Sequence, residues 1–101
     1  MKLNKLVRDK IPDIIKKDGQ EPATHIAEEK EYSEALTRKL HEEVGEFLDN
    51  PCVEEAADIL EVLHAICALR GVNLEFLEQI RQKKADERGG FKQRIILDKT
   101  E

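Results

Sequence analysis

Apolar side chains recur at steps of three and four residues from Lys30 to Asp49, which is the period of one face of an α-helix. The stripe consists of Tyr32, Leu36, Leu40, Val44, Phe47 and Leu48. Asn50–Pro51 interrupts it, because asparagine favours helix N-caps and proline favours the first helical position. We therefore expect a second helix, with Asn50 as N-cap and Pro51 as its first residue, that ends at Gly71. The two helices predict an antiparallel hairpin.

Shorter helices are expected on either side of this hairpin. After Pro12, the apolar pattern predicts about two helical turns that end at Asp18–Gly19. Asn73 is the expected N-cap of a last helix, which runs to about Arg88 before Gly89–Gly90. The fold class is therefore all-α, a helical bundle built on the hairpin.

Composition and length agree with that fold class. Charged residues make up 39% of the chain and aromatic residues 4%, which suits helices with solvated polar faces and suits a β-sandwich poorly. The only β-structure that the pattern allows is a short two-stranded element between residues 91–97 and 24–27. A chain of 101 residues is expected to form one domain, 1–101.

Charge is segregated along the chain. Residues 40–80 contain ten acids and one base, so their net charge is −9. The net charge of the whole chain is −5, so the two flanks together carry +4. An acidic centre between basic arms suits a ligand that brings both metal cations and phosphate anions. The alternative from charge pattern alone is a set of solvated helix faces.

Two acid-x-x-acid pairs flank the Asn50–Pro51 turn: Glu43 with Glu46, and Glu55 with Asp58. Residues three apart share one helix face, and an antiparallel hairpin that folds near this turn brings the two pairs to the same height. We therefore expect all four carboxylates to face one another.

Two of these acids lie on apolar helix faces. At about 100° per residue, Glu43 falls near the direction of Leu36, and Glu55 falls between Val62 and Ile66. An ionised carboxylate buried without a partner is costly, and we expect no Lys or Arg at a nearby helical position to pair with these acids. We therefore predict a bound Mg²⁺ or Mn²⁺, because an all-oxygen site selects these ions over zinc.

The chain also resembles a known family. Residues 39–47 (KLHEEVGEF) and 54–62 (EEAADILEV) resemble the Glu-Glu-x-x-Glu and Glu-x-x-Asp signature of the MazG-like all-α nucleoside triphosphate pyrophosphohydrolases. Residues 4–12 (NKLVRDKIP) and 88–91 (RGGF) resemble a subgroup of small single-domain members. The resemblance implies a MazG-like bundle that cleaves a nucleoside triphosphate to the monophosphate and pyrophosphate with Mg²⁺, and a role in clearing non-canonical nucleotides.

Residue roles follow from the resemblance together with the charge pattern. The expected metal ligands are Glu43, Glu46, Glu55 and Asp58. Glu42 matches the family's first acid and is the candidate for orienting or deprotonating the attacking water, with an exposed helix acid as the alternative. The candidates for binding substrate phosphates are Lys5, Arg8, Lys84 and Arg88. For the last two, interaction with a helix C-terminus is the alternative.

Two other functions stay open from the sequence. The first is a related pyrophosphohydrolase that acts on phosphoribosyl nucleotides or dUTP. The second is a non-catalytic helical module that dimerises and binds a protein partner. Acids on apolar faces favour an enzyme, because an interaction module has no reason to keep them.

The sequence also predicts location and assembly. The longest apolar stretch, 65–69, is far below the roughly 20 residues of a membrane span, and charges interrupt the first residues where a signal-peptide core would lie. We expect a cytoplasmic protein with no membrane or nucleic-acid partner and with Cys52 and Cys67 as reduced thiols, Cys67 on an apolar helix face. A homodimer or higher homo-oligomer is expected, because the apolar stripe extends past the acids through Leu63, Ile66 and Leu69.

Overall fold

Residues 4–101 are described by the structure, a computed structural model. They form four helices: α1 (Ile11–Lys17), α2 (Glu29–Asp49), α3 (Val53–Leu69) and α4 (Leu74–Arg88). The all-α prediction is confirmed. In this part of the chain, no helix combines the length and the hydropathy that crossing a membrane requires.

The hairpin of α2 and α3 is the centre of the fold. It makes the only extensive helix–helix contact within residues 4–101. Its apolar core is small. Among residues 4–101, the buried apolar side chains are Ala35 and Leu36 of α2 and Val62 and Cys67 of α3, and Leu36, at 2% exposure, is the only one that is completely enclosed. The hairpin and the buried position of Cys67 therefore match the sequence prediction.

The turn of the hairpin differs from the prediction. α3 begins at Val53 with Cys52 as its N-cap, so the assignment of Asn50 as N-cap and Pro51 as first helical residue is wrong. The backbone N–H of Asn50 instead donates to Glu46 at 3.0 Å and closes the last turn of α2. Residues 50–52 then form the chain reversal between α2 and α3.

The other helix ends follow the local sequence signals. The Asn73 side-chain oxygen accepts hydrogen bonds from the backbone N–H groups of Glu75 at 2.8 Å and Phe76 at 3.1 Å, so the predicted cap of α4 is confirmed. α4 ends at Gly89, whose φ of +85° is accessible to glycine at little cost. α1 ends as predicted, before Gly19.

The expected two-stranded element is absent: residues 91–97 and 24–27 do not pair, and no strand occurs in the described residues. A turn replaces the predicted strand at the C-terminal end, where the Arg94 N–H donates to the Phe91 carbonyl at 3.2 Å and Arg94 has a φ of +59°. A residue in the left-handed region breaks the alternation of side chains that a strand requires.

The chain is elongated for its length. Its radius of gyration is 18.1 Å, whereas a compact domain of this size has about 13 Å. Many apolar residues outside the small core are exposed, among them Leu48 on α2, Leu60 on α3 and Phe76 on α4. The fold leaves more apolar surface uncovered than an isolated domain of this kind usually has.

Candidate metal centre

Three of the four predicted ligands meet across the hairpin. Glu43 of α2 and Glu55 and Asp58 of α3 each offer a carboxylate oxygen, and the three oxygens lie within 4.8 Å of one another. Glu55 and Asp58 share a face of α3 because they are three residues apart, and Glu43 faces them from α2. This acidic cluster, Glu43–Glu55–Asp58, could hold a metal ion.

Two oxygens of the acidic cluster are buried without a partner. Glu43 is the only charged residue buried in the described part of the chain, at 6% exposure. Within residues 4–101, Oε2 of Glu43 and Oε2 of Glu55 accept no hydrogen bond. Each oxygen has lost its water without gaining a donor, which costs about 1–3 kcal/mol or more for a charged group. A cation between the two helices would compensate this cost.

Burial shifts the pKa of Glu43. Desolvation raises the pKa of Glu43 above its ordinary value of 4.5, the ion pair with Lys39 opposes that rise, and the negative charges of Glu46 and Asp58 add to it. A pKa raised by burial and by neighbouring acids is typical of a site that is completed by a cation.

Glu43 has a basic partner that the sequence prediction did not include. Lys39 Nζ lies 3.3 Å from Oε1 of Glu43 and 3.9 Å from Oε2 of Glu42, so the statement that no Lys or Arg can pair with the buried acids is wrong. The signal was present in the sequence, since Lys39 precedes Glu43 by four residues and such pairs meet on a helix face. Lys39 neutralises one oxygen of Glu43 and leaves Oε2 unpartnered.

The N-terminal segment reaches the acidic cluster. Arg8 Nη2 donates to Oδ1 of Asp58 at 2.6 Å, and Lys5 Nζ donates to Oε1 of Glu42 at 2.7 Å. Sequence reasoning predicted these two bases as phosphate ligands but missed their contacts with the acids. No periodicity could have revealed the contacts, because they join residues 50 and 37 positions apart.

The remaining predicted site residues lie around this centre. Glu42 adjoins the cluster on α2, where the hydrogen bond from Lys5 lowers the pKa of its carboxyl group. Glu46 is exposed on α2 and is outside the group of three oxygens. Lys84 and Arg88 are exposed on α4, and within residues 4–101 no ion pair joins them to the acids of the hairpin.

The donor set is chemically suited to a hard divalent cation. All three groups are carboxylates, and no histidine or thiol belongs to the cluster. Their oxygens lie within 4.8 Å of one another, close enough to share one cation. Carboxylate oxygens are, as a class, hard ligands and favour hard cations over soft ones.

Comparisons of the chain with protein-family models, with curated protein sequences and with solved structures find no significant match. The chemistry of this site is therefore inferred from its own residues: three carboxylates from two helices, two buried oxygens without a donor, and three bases at the rim.

Proposed function

We propose that the chain is a Mg²⁺-dependent nucleotide pyrophosphohydrolase of the MazG-like kind, which converts a nucleoside triphosphate to its monophosphate and pyrophosphate. The observation that carries the proposal is the pair of buried, unpartnered oxygens on Glu43 and Glu55 beside Asp58. Acids that serve only to solvate a helix face stay exposed to water. A bound cation would offset the desolvation cost of the two buried carboxylate oxygens. The Glu-Glu-x-x-Glu and Glu-x-x-Asp motifs then supply the substrate class by resemblance.

In this proposal the acidic cluster, joined by Glu46 from the next turn of α2, holds Mg²⁺. When bound, Mg²⁺ neutralises phosphate charge and increases the acidity of water. Glu42 lies next to the cluster and accepts the proton of the water that attacks the α-phosphorus. The hydrogen bond from Lys5 lowers the pKa of Glu42 and keeps its carboxylate ionised, which suits it to orient this water as a hydrogen-bond acceptor but also makes it a weaker base. The bond from the α-phosphorus to the bridging oxygen breaks, and pyrophosphate leaves.

The basic residues of the rim bind the charged substrate in this proposal. Lys5 and Arg8 already lie at the acidic centre and are the first candidates for the phosphates. Lys84 and Arg88 lie on α4, which makes no extensive contact with the hairpin. They would therefore approach a bound nucleotide from a different side than Lys5 and Arg8 do.

The test is hydrolysis of a panel of nucleotides with and without Mg²⁺, including a phosphoribosyl nucleotide and dUTP. We expect equal amounts of monophosphate and pyrophosphate from at least one substrate, only when the metal is present. Glu55→Gln should lower kcat/KM by about 100-fold or more, because even outer-shell partners of metal ligands cost 10- to 100-fold. Glu34→Gln is the matched control, since Glu34 is exposed on α2 and nine residues from Glu43, on the opposite helix face.

Diphosphate and orthophosphate as first products would contradict attack at the α-phosphorus. A chain that hydrolyses none of these nucleotides and does not respond to Mg²⁺ would instead be the helical interaction module.

We also propose that the protein works as a homodimer or higher homo-oligomer. The exposed side chains of Leu48, Leu60 and Leu63 continue the apolar stripe of the hairpin past its small core, and Leu74 and Phe76 expose apolar surface on α4. A two-fold symmetric partner would cover both surfaces. Sedimentation at micromolar concentration should therefore show a species at least twice the 11.6 kDa of one chain. A single 11.6 kDa species would contradict this prediction.

A further inference from the structure

Lys5 and Arg8 together form what we name the N-terminal clamp. Arg8 donates to Asp58, a member of the acidic cluster, at 2.6 Å, and Lys5 donates to Glu42 at 2.7 Å. The clamp thus joins the chain's beginning to the acids of both helices of the hairpin.

The charge of the clamp equals the charge of the ligand proposed for this site. The clamp and a divalent cation each bring two positive charges, and they share one acid, Asp58, because Lys5 pairs with Glu42 outside the acidic cluster. Asp58 cannot bind Arg8 and a divalent cation at the same time without cost. Both cations would lie within a few ångströms of each other on one carboxylate, and like charges at that distance repel.

The clamp is attached by contacts that can open. The side chains of Arg8 and Asp58 are 56% and 38% exposed, and those of Lys5 and Glu42 are 48% and 31% exposed. Water replaces exposed ion pairs of this kind at little cost in free energy. The buried oxygens of Glu43 and Glu55, in contrast, have no such alternative.

We propose that Arg8 is an exchangeable counter-ion, which pairs with Asp58 in the metal-free protein, leaves it when a divalent cation binds, and then pairs with a phosphate of the nucleotide. The proposal rests on the proposed function and adds its regulation. Metal and nucleotide are linked through one side chain, because the metal releases the guanidinium that the phosphate needs. Until the metal binds, Arg8 balances the charge of Asp58 at the exposed side of the acidic cluster.

The test measures Mn²⁺ binding without nucleotide, by the electron paramagnetic resonance signal of the free ion. Arg8→Gln should bind Mn²⁺ about threefold to fivefold more tightly than wild type, the size expected when an exposed competing ion pair is lost. The same variant should raise KM for the nucleotide at saturating Mg²⁺, because the phosphate has lost its partner. Arg8→Lys keeps the positive charge and should stay near wild type in both measurements.

Arg38→Gln is the control for net charge, since Arg38 is exposed on α2 and no ion pair involves it within residues 4–101. It should change Mn²⁺ affinity less than Arg8→Gln does. Equal Mn²⁺ affinity in Arg8→Gln and wild type, or weaker binding in the variant, overturns the exchange and leaves the metal site standing. A wild-type protein that binds no Mn²⁺ at millimolar concentration overturns the proposed function itself, and the exchange with it.

Discussion

Glu55→Gln should melt at or above the wild-type temperature in EDTA, yet lose most of the stabilisation that millimolar Mg²⁺ gives the wild type. Without metal, Glu43, Glu55 and Asp58 hold like charges within 4.8 Å, and Oε2 of Glu55 is buried without a donor. Replacing the Glu55 carboxylate with an amide removes one of these charges, so the metal-free protein loses repulsion and desolvation cost.

The metal-dependent part of this effect is the larger one. A ligand at 100 times its Kd stabilises the folded state by about 2.7 kcal/mol, and 1 kcal/mol moves the Tm of a domain of this size by roughly 4–8 °C. The wild type should therefore gain roughly 10 °C or more in Mg²⁺, and Glu55→Gln only a small part of that. Glu34→Gln, on the exposed face of α2, should keep the full response.

Thermal melts read by circular dichroism check both parts. The metal site is refuted if the wild-type curves in EDTA and in Mg²⁺ superimpose. It is equally refuted if Glu55→Gln responds to Mg²⁺ as fully as the wild type does.

Leu36→Ala should destabilise the protein by about 2–5 kcal/mol, the usual cost of truncating a buried leucine. Leu36 is 2% exposed and, in the described part of the chain, is the only fully enclosed side chain of a core that otherwise consists of Ala35, Val62 and Cys67. A small core cannot close over the lost methyl groups by shifting many neighbours, so the cavity term should remain. Marginal stability makes such a loss a large fraction of the total.

The free energies of unfolding of Leu36→Ala and Leu48→Ala, measured in urea, test this prediction. Leu48 lies on the same helix and is 70% exposed. Leu36→Ala should lower the unfolding free energy at every protein concentration, whereas any effect of Leu48→Ala should depend on concentration if this residue lies between copies. Similar, concentration-independent losses in both variants would mean that the hairpin core is not centred on Leu36.

Local patterns predicted the parts of the fold that depend on neighbours in sequence. The stripe of α2, the Asn73 cap and the stop at Gly89 all arise from interactions over three or four residues. The proximity of Glu43 to Glu55 and Asp58 was also predictable, because two helices joined by a short turn pack side by side as an antiparallel hairpin.

Contacts between distant segments could not be predicted in the same way. The pairing of Arg8 with Asp58 spans 50 positions, and nothing in the spacing of either residue indicates the other. The two-residue error at the start of α3 has a different origin. Asn50 satisfies the rules for both a helix end and a helix start, and only the path of the chain decides that it closes α2.

The short turn at residues 50–52 also affects the order in which the site forms during folding. Glu43 and Glu55 are only twelve positions apart, so the carboxylates come together as soon as the hairpin closes, and pairings this local form early. The N-terminal clamp must close a loop about four times longer to reach Asp58, so it arrives later. We therefore expect that, during folding, a metal ion can reach the open acidic site before Arg8 does.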